Sequence, residues 1–329
     1  MYALMMTEPS QGPDRTEVRE AEVSCPGPGE VTIDVAYAGI NFLDVMARRG
    51  DVGYVTAWPY APGLEVSGTV RETGPDVTGL AAGQKVAAFT AGGGLAEVVL
   101  VRAELVVPVP GQVPSPVAAA APLMLTTALL LLQDAAGFRP GQTVLVHSAS
   151  GGVGKAVAQL VPLLGGGLRI GTVGRPGKVA SALGGGYDVV VARGEDLAEA
   201  IRAAADGADV DIVLDPLGTA ELETDLAVIA PGGRIVLFGN AGGGEQAPLP
   251  PAGRLIGGNI AIGGFSISRL WATAPHRASA GLRRVLSLIA EGQLDIAVTE
   301  VGSLADVPAV HQLLAEGRGD GKYVVRVQG

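Results

Sequence analysis

Hydrophobic and polar residues change their rhythm once along this chain and change back near its end. Over residues 1–120 apolar and polar positions alternate in short runs, as in "EVTIDVAYAGI" and "EVSGTVRETG". A period of two puts one face of a strand in a core and the other toward water. The runs are separated by "GPGE", "GPDVTGL" and "AAGQKV", which hold the Gly and Pro that turns require. From about residue 125 the pattern becomes short apolar runs, "TVLVH", "RIGTV", "YDVVV", "VDIVLD", "RIVLFG" and "NIAIGG". Helical stretches such as "EDLAEAIRAAA" and "AELETDLAVIA" lie between most of them. Strands alternating with helices predict a parallel sheet covered on both faces. After residue 265 two helices and short strands follow, ending in "GKYVVRVQG". The pattern therefore predicts an α/β chain of two domains. One is mostly β and built from 1–122 and 265–329; the other, at 123–264, is a doubly wound parallel sheet inserted into it.

Composition narrows the function classes. Apolar residues make up 48% of the 329 and charged residues 17%, which suffices for sizeable cores. A formal charge of −10 argues against nucleic acid or an anionic membrane as partner. The longest apolar run, "VAAAAPLMLTTALLLL" at 117–132, is broken by Pro122 and two threonines and is short of the roughly 20 residues a membrane span needs. It is read as a buried interdomain helix. The single cysteine, Cys25, rules out an internal disulfide, and "MYALMMTEPS" lacks the basic region of a secretory signal, so a cytoplasmic setting is expected.

The chemistry concentrates at "LVHSASGGVG", residues 145–154, a strand that turns through glycines into the helical "KAVAQLVPLL". "ASGGVG" fits A-x-G-x-x-G: Ala149 permits the tight turn, Gly151 lets backbone approach a pyrophosphate, and Gly154 lets the helix pack on the sheet. Backbone N–H groups and the dipole at the helix start favour the anion. "FGNAGGGEQAP" at 238–248 also follows a strand, but its prolines make it a loop. An NAD site carries an acidic residue after the second strand to hold the ribose 2′-hydroxyl. This chain reads "GTVGRPGK" there, with Arg175 and Lys178, the latter one of only four lysines. Basic groups at that position favour the 2′-phosphate of NADPH.

With "GINFLD" at 39–44, "PGLEVSGTV" at 62–70, "GLAAGQKVAA" at 79–88 and "DPLG" at 215–218, the chain resembles the medium-chain dehydrogenase/reductases in their zinc-free quinone oxidoreductase and enoyl reductase branch. The resemblance covers nearly the whole chain. It implies a GroES-like catalytic domain, a Rossmann domain that binds NADPH, a cleft between them, and a homodimer joined through the Rossmann sheets. By position it suggests Asn41 near the nicotinamide ribose and Thr127 near the carboxamide. Ser150, Gly151, Gly152 and Val153 would face the pyrophosphate, and Gly174, Arg175 and Lys178 the adenosine phosphate. Leu217, Phe238, Gly239, Asn240, Phe265, Ser266 and Ile267 would line the nicotinamide end. Asn41 and Leu64 stand where zinc relatives keep ligands. One cysteine and three histidines on separate elements cannot build such a site. His147 is read as a packed structural residue, and His276 and His311 as surface residues. Two family features are missing: the tyrosine beside the 2′-phosphate, replaced by Ala192, and the "RxGxYP" tyrosine, in whose segment Tyr54 lies two residues late and Tyr60 falls beyond Trp58.

Without zinc there is no Lewis acid to ionise an alcohol. The expected reaction is NADPH-dependent reduction of an activated C=C bond in a small molecule with a conjugated carbonyl. Tyr54 is the candidate proton donor, and Asn41 positions cofactor or substrate. The alternatives are an NADPH:quinone oxidoreductase and, from a different class, an NADP(H)-binding scaffold or sensor or a redox-neutral enzyme.

Overall fold

The computed structural model describes residues 1–55 and 57–328. The chain divides into two compact units, Met1–Thr126 with Ile267–Gly329, and Thr127–Ser266. The predicted limits at 122/123 and 264/265 fall a few residues short of both divisions.

The first unit opens with an antiparallel pair, β1 (Tyr2–Met6) and β2 (Thr16–Glu20). Its main sheet contains β3 (Glu30–Ile40), β4 (Glu65–Thr73), β5 (Lys85–Phe89), β6 (Val98–Arg102) and β7 (Val106–Pro108). The chain's last two strands, β14 (Val298–Val301) and β15 (Lys322–Arg326), complete it in the order β14-β15-β3-β4-β5-β7, with β6 also on β3. The two chain ends are thus hydrogen-bonded into one sheet, Tyr323 opposite Ile40. On β3 the apolar Val31, Ile33 and Val35 are fully buried as the alternation predicts, but the intervening Thr32 is buried as well, at 2% exposure.

A helix at Phe42–Arg49 interrupts the strands, in a region the alternation had marked as mostly short strands and turns. Its cap explains it. The Asp44 carboxylate accepts from the Asn41 backbone N–H at 2.8 Å, and Gly50 closes the helix at φ 76°, a left-handed conformation that glycine tolerates. After residue 265 there are three helices rather than two: Ile267–Thr273, Pro275–Ala290 and Val307–Ala315. The third corrects the reading of His311. It is fully buried, because it lies four residues from buried Val307 on the same helix face. His276 is exposed.

In the second unit six strands run parallel: β8 (Val144–Val146), β9 (Arg169–Val173), β10 (Val189–Ala192), β11 (Val210–Asp215), β12 (Ile229–Leu237) and β13 (Ala261–Gly264). Their order is β10-β9-β8-β11-β12-β13, so the chain reverses direction of travel between β8 and β11. This is the doubly wound order that binds dinucleotides at the reversal, beyond the strands' carboxyl ends. The core on one face joins Leu145, Ile170, Val213 and Ile235 from the strands to Leu197, Ile201, Leu222 and Val228 from the helices. The apolar run at 117–132 lies in a helical stretch, Ser115–Ala135, whose most apolar window is 83% buried inside the protein. It is long and apolar enough to cross a membrane, but that burial is what a core helix shows.

Candidate functional site

Most of the predicted cofactor residues of the second unit follow the carboxyl ends of its strands. After β8 the backbone turns through Ser148, at φ 58° a left-handed conformation unusual for a residue with a side chain, and Ala149 is tied to β9 by its N–H to Thr172 O at 2.9 Å. The helix Gly152–Leu163 then starts with Gly151 at its cap, no side chain capping it and no acid in its first turn. Its leading N–H groups are therefore left to an anion. Gly154 is required by packing, since a Cβ there would come within 2.6 Å of Ala149 O. The Tyr187 hydroxyl donates to Gly154 O at 2.7 Å and holds the helix to the sheet.

The other predicted cofactor residues of this unit follow the carboxyl ends of neighbouring strands. Gly174, Arg175 and Lys178 come directly after β9, with Gly174 and Arg175 exposed. Leu217 follows β11, Phe238, Gly239 and Asn240 follow β12, and Phe265 and Ser266 follow β13. Backbone bonds stitch these last three loops together: Phe238 N–H to Asp215 O, Ala241 N–H to Pro216 O and Phe265 N–H to Leu237 O, each 2.9 Å. Thr127 is buried and its Oγ1 has no hydrogen-bond partner among the described residues, which fits a group waiting for an amide. An uncapped helix start, a close-packed Gly154 and an orphaned hydroxyl are together what a dinucleotide needs. Asn41, Tyr54 and Ile267 belong to the first unit.

Beneath the β8 and β11 turns lies a charged cluster that the sequence had not revealed. Buried His147 bonds Thr172 Oγ1 through Nδ1 and Asp225 Oδ1 through Nε2, both at 2.7 Å. Burial alone would lower the imidazole's pKa, but the Asp225, Asp215 and Glu221 carboxylates outweigh it and raise it above the usual value. Asp215 accepts from Leu217 N–H at 2.6 Å, fixing the loop that carries Leu217. Its burial, opposed by His147 and reinforced by Asp225, raises its carboxyl pKa.

In the first unit Asn41 sits in a second cluster. Lys322 on β15 donates to Ile40 O at 3.0 Å, to Asn41 Oδ1 at 2.5 Å and to Glu65 Oε1 on β4. The Asn41 amide donates to Glu65 Oε1 at 2.9 Å and Gly39 O at 3.3 Å. Glu65 Oε2 accepts from Leu123 N–H at 2.7 Å, in the helical turn where Pro122 has no N–H to give. Both Asn41 donor hydrogens are therefore spent inside the protein. Asn41 can accept a hydrogen bond from a ligand but cannot protonate one. Asp44, buried nearby, has its pKa raised to about 6 by desolvation, against the Asn41 and Gly63 N–H groups that lower it. Tyr54 lies in a turn and is 36% exposed. Burial and then the Asp51 charge raise its phenol, which thus keeps its proton at neutral pH. Thr56, in the same segment, lies outside the described residues.

Comparison with known proteins now bears on this geometry. An alcohol dehydrogenase GroES-like domain model matches residues 27–111 and a zinc-binding dehydrogenase model matches 185–325. A quinone oxidoreductase of Pseudomonas aeruginosa is 31% identical over 95% of this chain and 96% of its own. The chain belongs to the medium-chain dehydrogenase/reductase family. It is also 33% identical, over 91% of its length, to the spectinabilin polyketide synthase system protein NorB of Streptomyces orinoci, of which it spans only 13%. The crystal structure of Escherichia coli quinone oxidoreductase complexed with NADPH superposes with a TM-score of 0.90 at 27% identity, covering 99% of this chain and 100% of that one. The medium-chain fold thus has its GroES-like part in the first unit and its Rossmann part in the second. The zinc implied by the second family model finds no fitting residues: among the described residues no three His, Cys, Asp or Glu side chains could hold a metal together.

Proposed function

We propose that this protein is an NADPH-dependent reductase that delivers hydride to an activated C=C bond without zinc. The observation that carries the reading is the uncapped start of the helix Gly152–Leu163 at the reversal of the sheet, with Arg175 and Lys178 after the neighbouring strand. The likeness to NADPH-bound quinone oxidoreductase supports it. NADPH, when bound, supplies the hydride. The helix start holds the pyrophosphate, Arg175 and Lys178 the 2′-phosphate, and Thr127 Oγ1 the carboxamide. Asn41, held by Lys322 and Glu65, accepts from a ribose hydroxyl. Tyr54 donates the proton that the reduced carbonyl conjugate takes at its α-carbon.

Quinone reduction is the second reading, favoured by the Pseudomonas aeruginosa relative. A homodimer through the edge strand β13 fits its exposed Ala261, Gly263 and Gly264, together with Ile256, which is 79% exposed. The single Cys25 is consistent with a cytoplasmic setting. The test is NADPH consumption across a panel of enones, enoyl thioesters and quinones. Turnover of enones above quinones supports the first reading, and the reverse supports the second. Tight NADPH binding with no turnover on any acceptor favours a nucleotide-binding scaffold or sensor.

A further inference from the structure

Arg193 follows β10 and was not singled out from the sequence. In the structure its guanidinium lies over Gly174 at the end of β9: a Cβ on residue 174 would stand 2.7 Å from Arg193 Nη2. The ladder explains the approach, because Ala192 is paired with Val173 and the two following residues leave the sheet side by side. The Arg193 N–H donates to Val173 O at 2.9 Å, which fixes the base of the side chain. The guanidinium itself is loosely held. Among the described residues its one ion pair is with Glu221, Nε to Oε1 at 3.8 Å, beyond hydrogen-bond range. Nη1 is shielded from water and has no hydrogen-bond partner among the described residues. A water-excluded guanidinium donor without an acceptor is costly, and in a folded protein it calls for a partner.

We propose that Arg193 is a specificity-determining residue that binds the 2′-phosphate of the dinucleotide, and that Glu221 holds it ready until the phosphate takes over. The position is the one the doubly wound fold reserves for reading the adenosine ribose, beyond the second strand. A guanidinium offers a planar fork that matches phosphate oxygens. The absence of a Cβ at residue 174 leaves room for the fork to lie across the backbone there. The family's usual tyrosine is replaced by Ala192, a side chain with nothing to offer a phosphate, so the neighbouring position supplies the contact instead.

The proposal rests on the NADPH reading, and the two can fail separately. The experiment titrates NADPH, NADH, 2′,5′-ADP and 5′-AMP into the wild type, Arg193→Ala, Arg193→Gln and the Arg175→Ala/Lys178→Ala double variant. Arg193→Ala is expected to weaken NADPH and 2′,5′-ADP about 10- to 100-fold, within the range of one charge-assisted contact. NADH and 5′-AMP should stay within two-fold, which also reports an intact fold. Arg193→Gln should fall between, since it keeps a donor but loses the charge. If both Arg193 variants bind NADPH as the wild type does while the double variant loses it, the proposal is overturned and the NADPH reading stands. Equal loss for NADPH and NADH would make Arg193 structural and overturn it too. A wild type that does not distinguish NADPH from NADH would overturn both.

Discussion

Replacing Lys322 by methionine should unfold the first unit more readily, by an amount that the geometry sets. The ammonium is 5% exposed and reaches three oxygens, those of Ile40, Asn41 and Glu65. Glu65 is fully buried and would keep only the Leu123 and Asn41 N–H donors, with no positive charge beside it. Breaking a buried ion pair on one side costs about 3–5 kcal/mol, because the abandoned charge stays out of water. A unit of this size loses roughly 2–4 °C of Tm per kcal/mol, so the expected fall is about 6–20 °C. Methionine has nearly the same length, which keeps cavity effects small. The decisive comparison is the cycle with Glu65→Gln. The glutamine still accepts from Leu123 but needs no counter-charge, so the double variant should recover most of the stability lost in Lys322→Met. Urea unfolding at pH 7, monitored by circular dichroism, measures all four proteins. If the two single effects add to within about 0.5 kcal/mol, the residues act independently and the reasoning fails.

Four further outcomes follow from the same structure. Asp215 binds its proton more tightly folded than unfolded, so stability should decline as pH rises from the ordinary carboxylate range, about pH 4, until the raised group ionises; Asp215→Asn should flatten that decline in urea titrations at pH 5 to 8, and parallel curves would refute it. The Arg175→Ala/Lys178→Ala variant should lose contacts worth about 1.5–3 kcal/mol each to the 2′-phosphate, read as weaker binding of NADPH but not of NADH. Tyr54→Phe keeps the ring and removes the hydroxyl, so kcat on the best acceptor should drop roughly 10²–10⁴-fold if the phenol is the proton donor; a loss below a few-fold assigns the proton to water. Activity should survive exhaustive chelation, and zinc-restored activity after EDTA treatment would contradict the zinc-free reading.

How legible each part was in the sequence depends on how far apart its pieces lie. "LVHSASGGVG" carries its turn, its helix start and its packing glycine within ten residues, so the nucleotide turn could be read directly. The six strands of the parallel sheet were marked by apolar runs at helix-length intervals. The helix Phe42–Arg49 was missed, although Asn41, Asp44 and Gly50 spell out its cap; the surrounding alternation hid a short helical period. Glu65 and Lys322 could not be paired by eye, being 257 positions apart and joined only when both chain ends enter one sheet. A scarce lysine before an apolar strand was the available signal. His311 misled because a polar residue on a short helix suggests exposure, and only its spacing from Val307 pointed inward. Arg193 became visible only once the β9–β10 register brought it across Gly174.

The lock between Gly39 and Glu65 restricts the order in which this chain could change over generations. Any Cβ at position 39 would overlap the Glu65 carboxylate, so even alanine is barred there while the glutamate remains. Losing the glutamate first strands Lys322 among Ile40 and Asn41 with no counter-charge. Losing Lys322 first leaves Glu65 equally unpaired, so positions 65 and 322 are coupled and both must change before 39 is released. Position 39 would look immutable in a single-site variant library. It would become permissive only where position 65 carries a side chain too short to reach it and position 322 no charge, so its constraint is set by a residue distant in sequence that packs against it.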